Sequence, residues 1–310
     1  MRHNIAIAGL LALLGSCSAG ALQNVDVDRE IASARGGETI ALPVDMTGVL
    51  TIRRKTFSPA ITIDAKAATL SGIVLDQVDG VVIKGGTIIG PGGRSYGVSI
   101  RSSANIRIAD MQITGAHRGV VVNESHDIAL TGLNLVGLIS DGINIALSRK
   151  VLVERNRCRD FRPNIATFDA TGKRIRDGDH PDCIQAWSRP AAPPVSDISV
   201  IGNDMDGAMQ GIFFGNHVRG GVDDGGFDRI LIKDNFVRVS YPHAIALFDV
   251  RGATITGNRI STVPGAMLPN RPHRPVVARM NLRGSGIEAC GNSVQRVGRE
   301  PQNPGTSRCR

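Results

Sequence analysis

The 310-residue chain carries 36 Lys and Arg against 28 Asp and Glu, a net charge of +8, with 37 glycines and only 4% aromatic residues. That length suffices for one large domain, and abundant glycine with few aromatics suits a fold of tight corners and thin aliphatic layers. The absence of a CxxC pair or a His/Cys ligand spacing argues against a structural zinc site.

The first residues have the pattern of an export signal: basic Arg2, an apolar stretch Ile5 to Leu14, and small residues Ala19-Gly20-Ala21. The apolar stretch is too short to be a transmembrane helix. Leu14-Gly15-Ser16-Cys17 offers a second reading, a lipoprotein box with a lipid anchor on Cys17 in the outer membrane. The expected organisation is a signal over 1–21, one domain over 22–295 and a Pro/Gly-rich tail over 296–310, in a periplasmic or secreted monomer. A basic exported protein favours an acidic polysaccharide over nucleic acid as its partner.

Val27 to Ala34 reads as a short capping helix. Glu38 to Leu42, Ala60 to Ile63 and Gly80 to Ile83 read as strands. Farther along, a short apolar strand followed by asparagine recurs at Asn156, Asn203, Asn235, Asn258 and Asn292. Two residues beyond each asparagine stands Cys158, Met205, Val237, Ile260 or Val294, an inward column. A corner residue repeated at one strand position marks a stacked parallel β-solenoid.

A second strand family begins at Gly97, Gly119, Gly142, Cys183, Gly211, Ala244 and, weakly, Val276. Alternation buries its second and fourth residues (Val98/Ile100 through Ile245/Leu247) and turns the third and fifth outward. The first two spacings, 22 and 23 residues, define a plain rung; the later ones are 41, 28, 33 and 32. The excess falls at 157–182, 188–196, 216–226 and 261–275, flanking three neighbouring strands as loops that wall a groove. Of the remaining cysteines, Cys158 reads as a buried thiol that reaches Cys183 only if local geometry cooperates. Cys290, on an outward corner, is placed to pin the tail through Cys309.

The Ile-x-Gly-Asn corners resemble those of right-handed parallel β-helix proteins of the pectin-lyase-like superfamily. The opening Ala32-Ser-Ala-Arg-Gly-Gly-Glu-Thr-Ile-Ala-Leu-Pro43 is similar to the first rung of its alginate and chondroitin lyase branch. The resemblance implies an all-β, right-handed parallel β-helix over nearly the whole mature chain. It does not choose a reaction, because that superfamily holds lyases, hydrolases, epimerases and binders. Lyases of the family often pair a Lys or Arg base with calcium, and no motif here matches those sites. The hydrolase signature (N-x-D, then D-D, then G-H-G) is absent.

One residue per rung precedes each aligned strand: Arg118, Asp141, Asp182, Gln210 and His243. With rungs about 4.8 Å apart, Asp141 and Asp182 would meet as like charges. Either Arg118 neutralises them, or Ca2+ binds both, or one carboxyl has a raised pKa suited to acid–base work; otherwise one merely caps its turn. Gln185 and Trp187, the only tryptophan, leave the strand outward, with Phe213 and Phe248 as further sugar-stacking candidates. His180, His217 and His243 gather on the same patch with Asp182, Tyr241 and Asp249, as acids and bases near neutrality. Arg219 and Arg251, with Arg118, are the cations available to a uronate carboxylate. The expected chemistry is β-elimination on a uronate polysaccharide, with hydrolysis, C5-epimerisation or glycan binding without turnover as alternatives.

Overall fold

A computed structural model describes residues 18–190, 192–215, 218–219, 221–268 and 271–295. His217 lies outside them, as do Cys17, the tail 296–310 and most of the signal segment. Helix Ser18–Ser33 begins earlier than the expected Val27, extended by a stretch containing the helix formers Ala19, Ala21, Leu22 and Gln23. Its Val27 and Ile31 are buried at the end of the solenoid, covering the first rung. No helix among the described residues is long and apolar enough to cross a membrane.

Each rung of the right-handed parallel β-helix contributes three strands, and rungs pair in parallel register. The first face stacks Tyr96–Arg101, Arg118–Asn123, Ile143–Ala146, Asp182–Trp187, Gln210–Gly215 and the start of His243–Thr256. Along it, Val98, Val120, Ile143, Ile184, Ile212, Ile245 and Met280 form one continuous in-register column. All but Met280 are fully buried, as period-two alternation requires. The second face includes Ala104–Ala109, His126–Thr131, Arg149–Glu154, Val195–Ile201 and Phe227–Lys233, and the third forms a separate nine-stranded sheet.

The asparagine corner lies between the second and third faces. Each asparagine backbone N–H donates to the side-chain oxygen of the next: Asn156 to Asn203 at 2.9 Å, Asn203 to Asn235 at 2.9 Å, Asn235 to Asn258 at 3.0 Å and Asn258 to Asn292 at 3.0 Å. Each Nδ2 also donates to a carbonyl of the preceding rung, so the corner's polar groups are satisfied inside the protein. A second ladder, Ser103, Ser125 and Ser148, links rungs between the first two faces: Ser103 and Ser125 each donate a backbone N–H to the next serine Oγ, and each hydroxyl donates to the carbonyl two residues before it. Serine is common in ordinary loops, which is why this ladder escapes a reading of the sequence.

Three of the four inserted lengths form surface hairpins: Thr167–Phe168 with Arg174–Arg176, Val218–Arg219 with Val222–Asp223, and Met267–Leu268 with Arg271–Pro275. Two expectations change here. Cys158 is not a free thiol, since it is disulfide-bonded to Cys183 with their Cα atoms 5.8 Å apart. The bond ties the two ends of the longest insertion, which is where inward column and strand start meet. Cys290 is buried rather than outward and is itself disulfide-bonded; the expected partner Cys309 lies outside the described residues. Replacing Cys158 and Cys183 together by serine opens a loop of 25 residues. This is expected to cost about 3 kcal/mol, read as a lowered denaturation midpoint.

The last rung also shifts. Its strand is Arg279–Cys290, with Met280 rather than Val277 in register with Ile245. Val276 and Ala278 are buried in the preceding loop and imitate a strand's alternation, while Val277 is exposed. The corrected register adds Arg279 to the column, beside His243.

Candidate functional site

The rung column is real: Asp182 pairs with Gln210 and His243 with Arg279 in the strand register. Arg118 Nε lies 3.0 Å from Asp141 Oδ2, a charge contact in which the N–H is not aimed at the oxygen. The Asp182 backbone N–H donates to Asp141 Oδ1 at 3.2 Å. Burial raises the Asp141 pKa, and Arg118 offsets part of that rise. Asp182 has no such cation. Burial first, and the Asp141 charge second, hold its carboxyl well above the usual aspartate range of 3.8.

Asp182 is 1% exposed, closed off from anything that approaches from solvent. Gln185 Nε2 donates to Asp182 Oδ2 at 2.9 Å, and Asn144 Nδ2 donates to Gln185 Oε1 at 2.7 Å. Trp187 Nε1 donates to Asn144 Oδ1 at 2.8 Å, leaving the indole 39% exposed. Asn144 is outward by alternation yet only 1% exposed, because Gln185 and Trp187 hydrogen-bond across it. A polar residue at an outward strand position usually reads as solvated surface, so nothing in the sequence singles it out.

Two rungs farther, His243 is half-buried between two phenyl rings: its centroid is 5.6 Å from Phe213 and 6.1 Å from Phe248, both edge-on. Phe213 and Phe248 are themselves 5.5 Å apart. Arg283 lies 5.4 Å from the Phe248 centroid. Burial, and then the Arg279 charge, lower the His243 pKa below 6.5, so the imidazole is neutral at neutral pH. Its Nδ1 is buried without a partner.

The other candidates separate. Tyr241 is buried and donates its hydroxyl to the Asp179 carbonyl at 3.2 Å, with burial raising its pKa. His180 is exposed and packs edge-on against Tyr241 at 6.2 Å. Asp249 is exposed where the chain turns from the first face to the second. Arg251 lies beyond that turn and is engaged with Asp228 at 2.6 Å and the Gly225 carbonyl at 2.9 Å. Arg219 forms part of a hairpin strand, and its side chain lies outside the described part. Two exposed cations that the sequence reading passes over stand here, Arg279 beside His243 and Arg283 over the Phe248 ring.

A family model described as periplasmic copper-binding protein (NosD) matches residues 53–179. No curated protein sequence matches. Among solved structures, the tailspike of E. coli bacteriophage HK620 in complex with a pentasaccharide aligns with TM-score 0.52 and 13% identity, over 89% of this chain and 58% of the tailspike. Its D339A/E372A variant aligns with TM-score 0.50, at 11% identity and the same coverages. The endo-xylogalacturonan hydrolase of Aspergillus tubingensis aligns over 87% of both chains with TM-score 0.49 and 17% identity.

The fold is a right-handed parallel β-helix.

The chain spans little more than half of the tailspike it matches. Among the described residues no three His, Cys, Asp or Glu side chains converge to hold an ion. Ca2+ takes six to eight oxygens, whereas Asp141 is met by Arg118 and Asp182 is a single buried carboxyl. This donor set fits neither calcium nor copper, and neither Asp141 nor Asp182 is assigned as a metal ligand.

Proposed function

We propose that this β-helix is an exported, periplasmic polysaccharide lyase that cleaves a uronate-containing polymer by β-elimination along its first face. The observation that carries this reading is His243: a neutral imidazole between Phe213 and Phe248, with Arg279 beside it and Arg283 on the Phe248 ring. Elimination needs those parts. A cation beside the uronate carboxylate acidifies C5, and a neutral base within reach takes its proton. The electron pair left on C5 forms the C4–C5 double bond as the C4–O bond breaks, and the departing oxygen takes a proton from His180 or water. Trp187, Gln185 and the phenyl rings line the saccharide path. A tailspike of this fold solved with a pentasaccharide, and the periplasmic family matched over 53–179, agree with an exported glycan-active protein.

Incubation of the purified protein with a panel of uronate polymers tests this. New ultraviolet absorbance from the unsaturated product is the expected result. Reducing ends without absorbance would indicate hydrolysis, and binding with neither would make the groove a glycan receptor without turnover.

A further inference from the structure

Four buried atoms in the column lack hydrogen-bond partners: Arg118 Nε, His243 Nδ1 and, between them on adjacent rungs, Asp182 Oδ1 and Gln210 Oε1. The two oxygens belong to residues paired in register on adjacent strands, and both residues are at least nine-tenths buried. An ionised Asp182 would leave both oxygens buried as acceptors without a hydrogen, each at a desolvation cost of about 1–3 kcal/mol. One proton satisfies both. We propose that Asp182 is a neutral carboxylic acid whose Oδ1–H donates to Gln210 Oε1, closing a one-way hydrogen-bond chain that positions Trp187.

The chain then runs in a single direction. Trp187 Nε1–H donates to Asn144 Oδ1 at 2.8 Å, Asn144 Nδ2–H to Gln185 Oε1 at 2.7 Å, and Gln185 Nε2–H to Asp182 Oδ2 at 2.9 Å. The Asp182 proton supplies the final link. Every amide orientation along the path follows from the exposed indole, since Trp has only a donor to offer. The surroundings favour the neutral acid. Asp141 contributes a negative charge, and the Arg118 guanidinium lies against Asp141 rather than Asp182. His243, next in the column beyond Gln210, is neutral at neutral pH, and the Tyr241 hydroxyl is engaged with the Asp179 carbonyl. Asp182 is therefore a positioning residue for the saccharide platform, acting through Gln185 and Asn144. The inference does not depend on the elimination reading, because no reaction enters its test.

The rival arrangement turns the Gln210 amide round, so that Nε2–H donates to an ionised Asp182. Stability against pH separates the two. A carboxyl whose folded pKa is raised binds its proton more tightly folded than unfolded, so stability falls as pH rises above the ordinary range near 3.8 and through the folded value. Asp182→Asn keeps a donor for Gln210 and an acceptor for Gln185 but cannot titrate. Because Trp187 is the only tryptophan, its emission reports both unfolding and the state of the chain. Between about pH 5 and 7, the unfolding constant of the native protein relative to Asp182→Asn is expected to rise about tenfold per pH unit. At neutral pH, Asp182→Asn is expected to keep the native Trp187 emission, while Asp182→Ala shifts it. A flat ratio would overturn the proposal, as would a slope that appears or vanishes with added Ca2+ or chelator. Where unfolding proves irreversible, infrared difference spectra of native protein minus Asp182→Asn decide. A protonated-carboxyl carbonyl band at neutral pH is expected, and its absence overturns the proposal.

Discussion

Replacing His243 by alanine is expected to lower kcat for elimination on a uronate polymer by about 10²–10⁴-fold, with a much smaller change in KM. The split follows from the geometry. Stacking surface from Trp187, Phe213 and Phe248 and charge from Arg279 and Arg283 survive the substitution, so ground-state binding is largely kept. What is lost is the base that the proposed elimination assigns to His243. The native acid limb of kcat/KM should lie below the ordinary histidine value of 6.5, because burial and Arg279 disfavour the imidazolium. Folding stability obeys the same sign: with the folded pKa depressed, the contribution is present above 6.5 and is lost as pH falls through the lowered value. Arg279→Gln removes the repelling charge, so the acid limb should move to higher pH while kcat also falls. Steady-state rates across pH for the native protein and both variants measure this. Full activity in His243→Ala would place the base elsewhere.

Asn235→Ala is expected to destabilise the protein by about 3 kcal/mol or more, a large effect for one polar side chain. Asn235 Oδ1 accepts from the Asn203 backbone N–H at 2.9 Å and from Asn203 Nδ2 at 3.0 Å. Its Nδ2 donates to the Val200 carbonyl at 3.0 Å and to Asn258 Oδ1 at 2.8 Å. Alanine leaves buried partners in two neighbouring rungs unpaired, and no water replaces them at a corner that is 1% exposed. Asn235→Asp, although nearly isosteric, should be worse still. It sets a carboxylate oxygen against the Val200 carbonyl and Asn258 Oδ1 with no proton to share. Denaturation midpoints of the two variants check the order, and an aspartate variant more stable than the alanine one would contradict the ladder's donor pattern.

Much of the scaffold could be read directly because a solenoid turns sequence offset into spatial neighbourhood. Residues one rung apart touch, so recurrence of Asn156, Asn203, Asn235, Asn258 and Asn292 is itself a contact map, and period-two alternation picks out the buried pairs from Val98/Ile100 to Ile245/Leu247. The same logic placed Arg118, Asp141, Asp182, Gln210 and His243 in one column. It failed where an insertion breaks the offset. Val276 and Ala278 alternate like a strand while belonging to a loop, which concealed Arg279. A related effect separates Arg251 from His243: strand His243–Thr256 turns a corner near Asp249, carrying Arg251 to Asp228 on the next face.

The sequence by itself determined the repeat, its corners, its inward columns and the rungs beside which extra chain accumulates, since each depends on local periodicity alone. Tertiary structure decided which polar groups see water. Burial at the start of its strand makes Asp182 a support for Gln185 instead of a solvent-facing residue, and hydrogen bonds from Trp187 and to Gln185 enclose Asn144. The Cys158–Cys183 bond and the aromatic walls around His243 likewise join residues that only the stacking of rungs brings together. Desolvation depends on everything that packs around a group, and no spacing rule encodes it.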